Sequence, residues 1–452
     1  MLYQKLKNSS ARHNILSQCD VAGSYDFYTT IISLDSLSSS DFDGADLLRD
    51  DLLNHIDSGA AINYSSYESI RKYMPIAYHE YTHFVDCTST LWGMKYLYMM
   101  NKGYTADDRR FGGVESDFHH TKSFYDLIRF SKLPNYYTYK TGASDIRRPW
   151  LYQESIGNRF TPDGKVSDYP IIFTRFINQS GKIIVRSPIS TISILECSAM
   201  AQEINYTIGL IKSLDSGEQI VEISQYTKEL LDYIYSQDLT EYSVCAHLLS
   251  NKFKQKDILV TYKACSAICR YVLNTPKSAY DKFSSLDVLQ RIFGAGASDW
   301  NQKIQKGLQY YEPGVLFYIL CYLLPDNSLD SLENLEPGII SAYARAGISY
   351  DELIKDSEDE IIGYLNEIRS SEIRYLRELS DAGYENYKKI KWNSSLLNFN
   401  ELNTPAALLN DSSQIDFFPK SNDMLINIDL EAIYDELIEG QLWTERFVEA
   451  CN

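Results

Sequence analysis

No stretch of this sequence stays apolar long enough to cross a bilayer. The longest apolar run, Val315–Leu324, is ten residues, about half of what a membrane-spanning helix needs. The N-terminal segment MLYQKLKNSSARHN contains no apolar core of the kind a secretory signal peptide requires. Cysteines are few and unpaired in spacing: Cys19, Cys87, Cys197, Cys245, Cys265, Cys269, Cys321 and Cys451. Their nearest approach, Cys265 and Cys269, has no second pair to complete a tetrahedral metal site. GxxxxGK[ST], GxGxxG and GxSxG are all absent, so the sequence gives no support for nucleotide binding or a serine hydrolase. Positive charge is also short. With 43 basic against 61 acidic residues the net charge is −18, which argues against nucleic acid or an anionic membrane as partner. A reduced, cytoplasmic protein is the expectation; nothing in the sequence sets its oligomeric state.

What is present suits a large globular chain. Hydrophobic residues make up 44% and aromatic residues 13% of 452 positions, ample for a packed interior. That length exceeds one ordinary core and predicts two units: residues 1–213, and a helical part with an acidic tail over 214–452. Residues 401–452 carry eleven acids against two bases, so half the charge imbalance sits there, and a solvated, self-repelling surface is expected.

The one stretch that carries chemistry is Tyr78-His79-Glu80-Tyr81-Thr82-His83-Phe84-Val85-Asp86, which contains HExxH. On a helix, residues four apart lie one turn above each other, so His79 and His83 aim their imidazoles at one point. Two neutral imidazoles can hold zinc, and Glu80 beside them can take a proton from a zinc-bound water. Asp86 returns to the same helix face and can accept the other N–H of a ligand histidine, fixing its tautomer. Cys87, one turn beyond His83, is swung off the point of convergence by helix drift.

Along the chain, Asp26–Leu34 reads as a strand and Asp35–Gly44 as a loop. Ser65 with Glu68 resembles a capping box, so a helix is expected to start near there; Pro75 marks a kink or a fresh start, and the active helix is expected from about Pro75 to the Thr88–Thr90 stretch. A helix is expected near Asp117–Phe130, followed by a tyrosine-rich loop. His119 and His120, being adjacent, cannot both reach one site. Residues 171–177 and 183–186 flank the turn sequence Asn178–Gly181 and predict a hairpin. From Ser213 onward the pattern is helical, with helices over 220–235, 240–253, 258–273, 314–324 and 351–377. Cys245 and His247 have too few partners to make a second metal site.

After the hairpin, Ser187-Pro188-Ile189-Ser190 reads as a cap with proline near the first helical position. The following helix, from Thr191 to Glu203, has an apolar stripe at Ile192, Leu195 and Ala199, with Glu196 and Glu203 on an adjoining face. Small neighbours, Ser198 and Ala199, suit close helix approach and favour Glu196 as the third ligand. Glu203, Asp86 and Cys87 remain open at that position. Seven residues, about 10 Å, separate Glu196 from Glu203, so the two cannot both bind one tetrahedral ion; Glu203 is left to support the site.

The pair His79-Glu80-Tyr81-Thr82-His83 with Glu196 on a later helix resembles the zincin metallopeptidases of the glutamate-ligand type, the gluzincins. The resemblance implies one zinc ion per chain on His79, His83 and Glu196, with Glu80 as general base. It implies a zincin-like catalytic unit with small β-elements, within an α+β, predominantly helical fold. The likeness covers only the two helices and the strands near them. Where gluzincins often carry an acid three or four residues after the ligand glutamate, this chain has Ala199 and Met200. The interval from His83 to Glu196 is longer than usual. Asp86 and Ser89 replace the glycine and third histidine of HExxHxxGxxH.

The implied reaction is hydrolysis of a peptide or protein substrate. Zinc polarises the scissile carbonyl, and Glu80 carries a proton from water to the leaving amine. Tyr206 and Arg186 are candidates for stabilising the oxyanion. The strand at 26–34 or the hairpin at 171–186 offers an edge for peptide pairing. The competing expectation is a helical binding protein whose HExxH zinc site is structural or vestigial. A hydrolase of non-peptide amides is a further one.

Overall fold

A computed structural model describes residues 1–10, 22–42, 60–112, 114–142, 147–161, 164–420, 423–425 and 428–451. Cys19 and the last two residues of the 35–44 loop lie outside these ranges. Among the described residues the chain forms seventeen α-helices and eight short strands, an α+β and predominantly helical fold. No helix among them is long and apolar enough to cross a membrane.

The early helices are α1 (Leu2–Ser10), α2 (Tyr64–Thr88), α3 (Leu91–Thr105), α4 (Asp108–Phe111) and α5 (Phe118–Ser131). The middle of the chain gives α6 (Thr191–Lys212), α7 (Ser216–Ile234), α8 (Thr240–Phe253) and α9 (Ile258–Leu273). Next come α10 (Lys277–Phe283), α11 (Leu286–Phe293), α12 (Ser298–Gln309), α13 (Pro313–Leu323) and α14 (Leu332–Arg345). The last three are α15 (Tyr350–Arg369), α16 (Arg374–Lys389) and α17 (Leu430–Cys451).

Two four-stranded sheets flank the helices. In the first, β1 (Ser24–Tyr25) pairs antiparallel with β2 (Ile32–Leu34). That strand pairs parallel with β7 (Ala407–Leu409), which pairs antiparallel with β8 (Gln414–Ile415). In the second, β3 (Tyr139–Lys140), β6 (Ile183–Ile189), β5 (Val166–Ile177) and β4 (Leu151–Phe160) lie side by side, all antiparallel. The first sheet joins strands from both sides of residue 213, and one hydrophobic core runs from Leu6 and Tyr25 through Leu195 and Ile268 to Leu437.

Several sequence expectations are corrected here. The strand expected over 26–34 is a tight hairpin. Asp26 Oδ1 accepts from the amides of Tyr28 and Thr29 at 2.8 and 2.9 Å, and Thr30 adopts φ 58°. These side-chain bonds turn the chain where β-propensity alone would extend it. The active helix begins at Tyr64, eleven residues before Pro75, capped by Asn63 rather than by Ser65; Asn63 Oδ1 accepts from the Ser65 amide at 2.9 Å. Pro75 lies inside it, buried. Pro188 belongs to β6, and the cap of α6 is Ser190, which exchanges hydrogen bonds with Ser193. The helix expected over 351–377 is two, α15 and α16. Ser370 donates to the Glu367 carbonyl and Ser371 Oγ accepts from the Ile373 amide, local bonds that compete with helix continuation. The acidic tail keeps its charges in solvent, with Glu401, Asp411, Glu431, Asp435 and Glu439 exposed, while Leu408 of β7 and Leu430, Ile433 and Leu437 of α17 are buried in the core. The long strand β4 carries no clear sequence signal.

Candidate metal centre

Helices α2 and α6 meet in the middle of the molecule. From Tyr81 to Thr88 every residue of α2 is buried, and so is every residue of α6 from Thr191 to Gln202. Such helices, covered on all sides, are set by packing rather than by amphipathic pattern. Polar groups on them must find partners within the interior.

His79 and His83 sit one turn apart, edge to face, with ring centroids 4.9 Å apart at 75°. Both turn Nε2 toward one oxygen of α6. Glu196 Oε2 lies 3.2 Å from His79 Nε2 and 3.3 Å from His83 Nε2. The donor atoms of the three residues fall within 4.8 Å of one another, and all three side chains are buried. Glu196 Oε1 and His83 Nδ1 are buried without a hydrogen-bond partner among the described residues. Two imidazole nitrogens, one carboxylate and an orphaned carboxylate oxygen form a donor set that can hold a metal ion.

Charge in the cluster is strongly coupled. Burial would raise the Glu196 carboxyl, but the fields and hydrogen bonds of His83 and His79 outweigh it and hold it at about 2. Burial likewise opposes protonation of His79, and Glu196 and Glu203 overcome it, raising that imidazole well above its ordinary value.

Glu203 stands behind His79. Its Oε2 lies 2.9 Å from His79 Nδ1, and its side chain is 29% exposed where His79 is 7%. Asp86 stands beneath His83 but makes no hydrogen bond to it. Burial raises the Asp86 carboxyl, and Arg270, Ser198 and His83 pull it back. Cys87 is buried, its thiol pushed up by burial and by the Asp86 and Glu196 charges. Neither Asp86 nor Cys87 belongs to the three-residue donor group.

Glu80 is buried at 5% exposure, with its carboxylate against the backbone ahead of β1. A Cβ added to Gly23 would lie 2.9 Å from both Cγ and Oε1 of Glu80. Of the two expected oxyanion groups, Arg186 is occupied elsewhere, whereas Tyr206 lies one turn beyond Glu203 and packs on the residue before His79. Tyr206 stacks on Tyr78 at 4.3 Å. Arg186 lies over the Phe173 ring at 4.5 Å and donates to the Tyr137 carbonyl, so it serves the second sheet. The hairpin strands β5 and β6 are interior to that sheet and offer no long edge, whereas β1 is an edge strand beside Glu80.

Three residues near the cluster had no sequence signal. Tyr242 of α8 sits with its ring 6.0 Å from that of His79. Its neighbour Glu241 is lifted to about 7 by burial, with Lys132 lowering it and Glu196 raising it. Arg270 of α9, 1% exposed, supplies the positive field below Asp86. His119 is exposed and packs on His120 at 3.9 Å. His247 is held by the Ile234 carbonyl at 3.1 Å. The six described cysteines outside the terminal helix turn are free and buried.

No protein-family model, curated protein or solved structure matches the chain.

Proposed function

We propose that this chain is a zinc-dependent metallopeptidase that hydrolyses a peptide or protein substrate, with one zinc on His79, His83 and Glu196 and Glu80 as general base. The observation that carries the reading is the convergence of both Nε2 atoms on Glu196 Oε2 at 3.2 and 3.3 Å. Two histidines and one glutamate are a donor set that zinc takes in catalytic sites. When bound there, zinc supplies Lewis-acid polarisation of a carbonyl and a lowered pKa for water.

The chain's own residues do the rest. Glu203 accepts the Nδ1–H of His79, which leaves the Nε2 lone pair facing the donor cluster. Glu80 takes the proton of the attacking water and passes it to the leaving amine. The near-complete burial of the group keeps bulk water out and strengthens each electrostatic contact. Free buried cysteines and the acidic surface favour a cytoplasmic setting without nucleic acid or membrane partners.

The test uses Glu80→Gln, which keeps the shape and leaves the ligands intact. Zinc content stays at the native level while cleavage of a quenched-fluorescent peptide library falls by about 10²–10⁴-fold. Equal activity in the variant overturns the mechanism.

A second reading is favoured by one observation: His83 is 1% and Glu196 0% exposed, so an ion held there would sit inside the packed core and tie α2 to α6. In that case the chain is a helical binding protein. Chelation would then lower its unfolding temperature, and Glu80→Gln would leave its properties unchanged.

A further inference from the structure

On a surface rich in acid, a cavity beside α3 gathers several cations. It measures about 290 Å³ and lies between α3, α5, the start of α10 and α15. Lys95, Lys102, Lys277 and His120 line it, with Tyr98 and Tyr364. Lys102 is paired with Glu367 at 2.9 Å and Lys277 with Glu360 at 3.4 Å. Lys95 forms no ion pair among the described residues, and burial together with the neighbouring Lys277 disfavours its charged form, against the fields of Glu360 and Glu312. His120 is disfavoured in the same way by burial, His119 and Lys102. Lys95 and Lys277 thus repel each other, as do His120 and Lys102, and an anion in the cavity relieves both contacts.

The aromatic wall indicates what accompanies the anion. Tyr98 and Tyr364 lie 5.1 Å apart at 37°. Lys102 stands 5.6 Å from the Tyr98 ring and Lys277 5.5 Å from the Tyr364 ring, while the Tyr364 hydroxyl accepts from Lys277 at 3.0 Å. The ammonium groups are thus fixed on rings rather than waving in solvent, which lowers the entropy lost on binding. Lysine ammonium is a strong point-charge partner for phosphate. The volume exceeds that of a bare phosphate and falls near the lower bound of small-molecule sites.

We propose that this cavity binds the phosphate group of a small phosphomonoester, with Lys95, Lys102, Lys277 and His120 as its anion-facing groups. The site is separate from the metal cluster and does not depend on it.

The test is calorimetric titration of the full chain at constant ionic strength with inorganic phosphate and, in parallel, with succinate, a dicarboxylate dianion. Phosphate binds saturably and succinate does not. Lys95→Met preserves the apolar stem that packs in the wall and weakens phosphate binding by at least about tenfold. Lys277→Met, on a different helix, does the same and guards against a local folding defect. Circular dichroism checks that both variants are folded. The proposal is overturned if phosphate shows no saturable binding up to about 10 mM, if succinate binds equally well, or if both folded variants bind like the parent.

Discussion

Glu203 Oε2 lies 2.9 Å from His79 Nδ1, across 124 positions of sequence. That single contact ties α6 to α2 at a second point, about two turns along α6 from the Glu196 contact. It also decides which histidine nitrogen is left to face the donor cluster. Glu203→Ala is therefore expected to weaken zinc binding by about 10–100-fold, the usual effect of losing the group that orients a ligand histidine. Glu196→Ala, which removes a donor atom, weakens it further. Competition against a chromophoric chelator measures both, and an unchanged affinity in Glu203→Ala would show the contact to be idle. Zinc uptake should also release protons into weak buffer, since burial fails to keep His79 neutral against Glu196 and Glu203 in the metal-free cluster.

Gly23 is expected to control Glu80. A methyl group there meets Glu80 Cγ and Oε1 at 2.9 Å and Ile76 Cγ2 at 3.1 Å, so the carboxylate must move. Gly23→Ala should lower peptide hydrolysis by about 10²-fold, the cost of misplacing a catalytic group by roughly an ångström. Zinc content should be unchanged. A fully active Gly23→Ala would separate Glu80 from the chemistry.

The sequence made the donor cluster legible, because HExxH places two imidazoles by helix geometry alone. Glu196 and Glu203 were also readable as one face of a helix with small neighbours. What surrounds them was not. Arg270, Tyr242 and Gly23 reach the site only through the packing of α9, α8 and β1, and no local pattern encodes that. Helices over 240–253 and 258–273 were legible to the residue, the second because Pro276 stops it just beyond Leu273. The 26–34 hairpin and the 370–373 break were not, because an aspartate turn and two serines overrode propensity through side-chain hydrogen bonds. The strand β4, with exposed Leu151 and Phe160 at its ends, lacks a clean alternation.

Arg270 and Asp86 are expected to depend on each other. Both are buried, at 1% exposure each, and burial disfavours both charges while each supports the other. Arg270→Met removes the main positive field on Asp86 and should lower stability in urea unfolding. The double variant with Asp86→Asn should recover part of that loss. Strictly additive effects would refute the coupling.

His247 sets a pH dependence. It is caged by Trp150, Phe176 and Tyr235, and burial lowers it from 6.5 to about 4 despite its bond to the Ile234 carbonyl. Between those values the unfolded chain binds more protons than the folded one. This contribution to stability is therefore full above about pH 6.5 and is lost as pH falls toward 4, on the order of 3 kcal/mol in all. His247→Gln, which does not titrate, should flatten the unfolding-temperature profile in that window relative to the parent. Parallel profiles would contradict it.

The most direct test is elemental analysis of the purified chain beside four variants. The account predicts about one zinc per chain in the parent and in Glu80→Gln, and almost none in His79→Ala, His83→Ala or Glu196→Ala. A parent without bound metal after exposure to zinc, or a ligand variant that keeps its full complement, would contradict it.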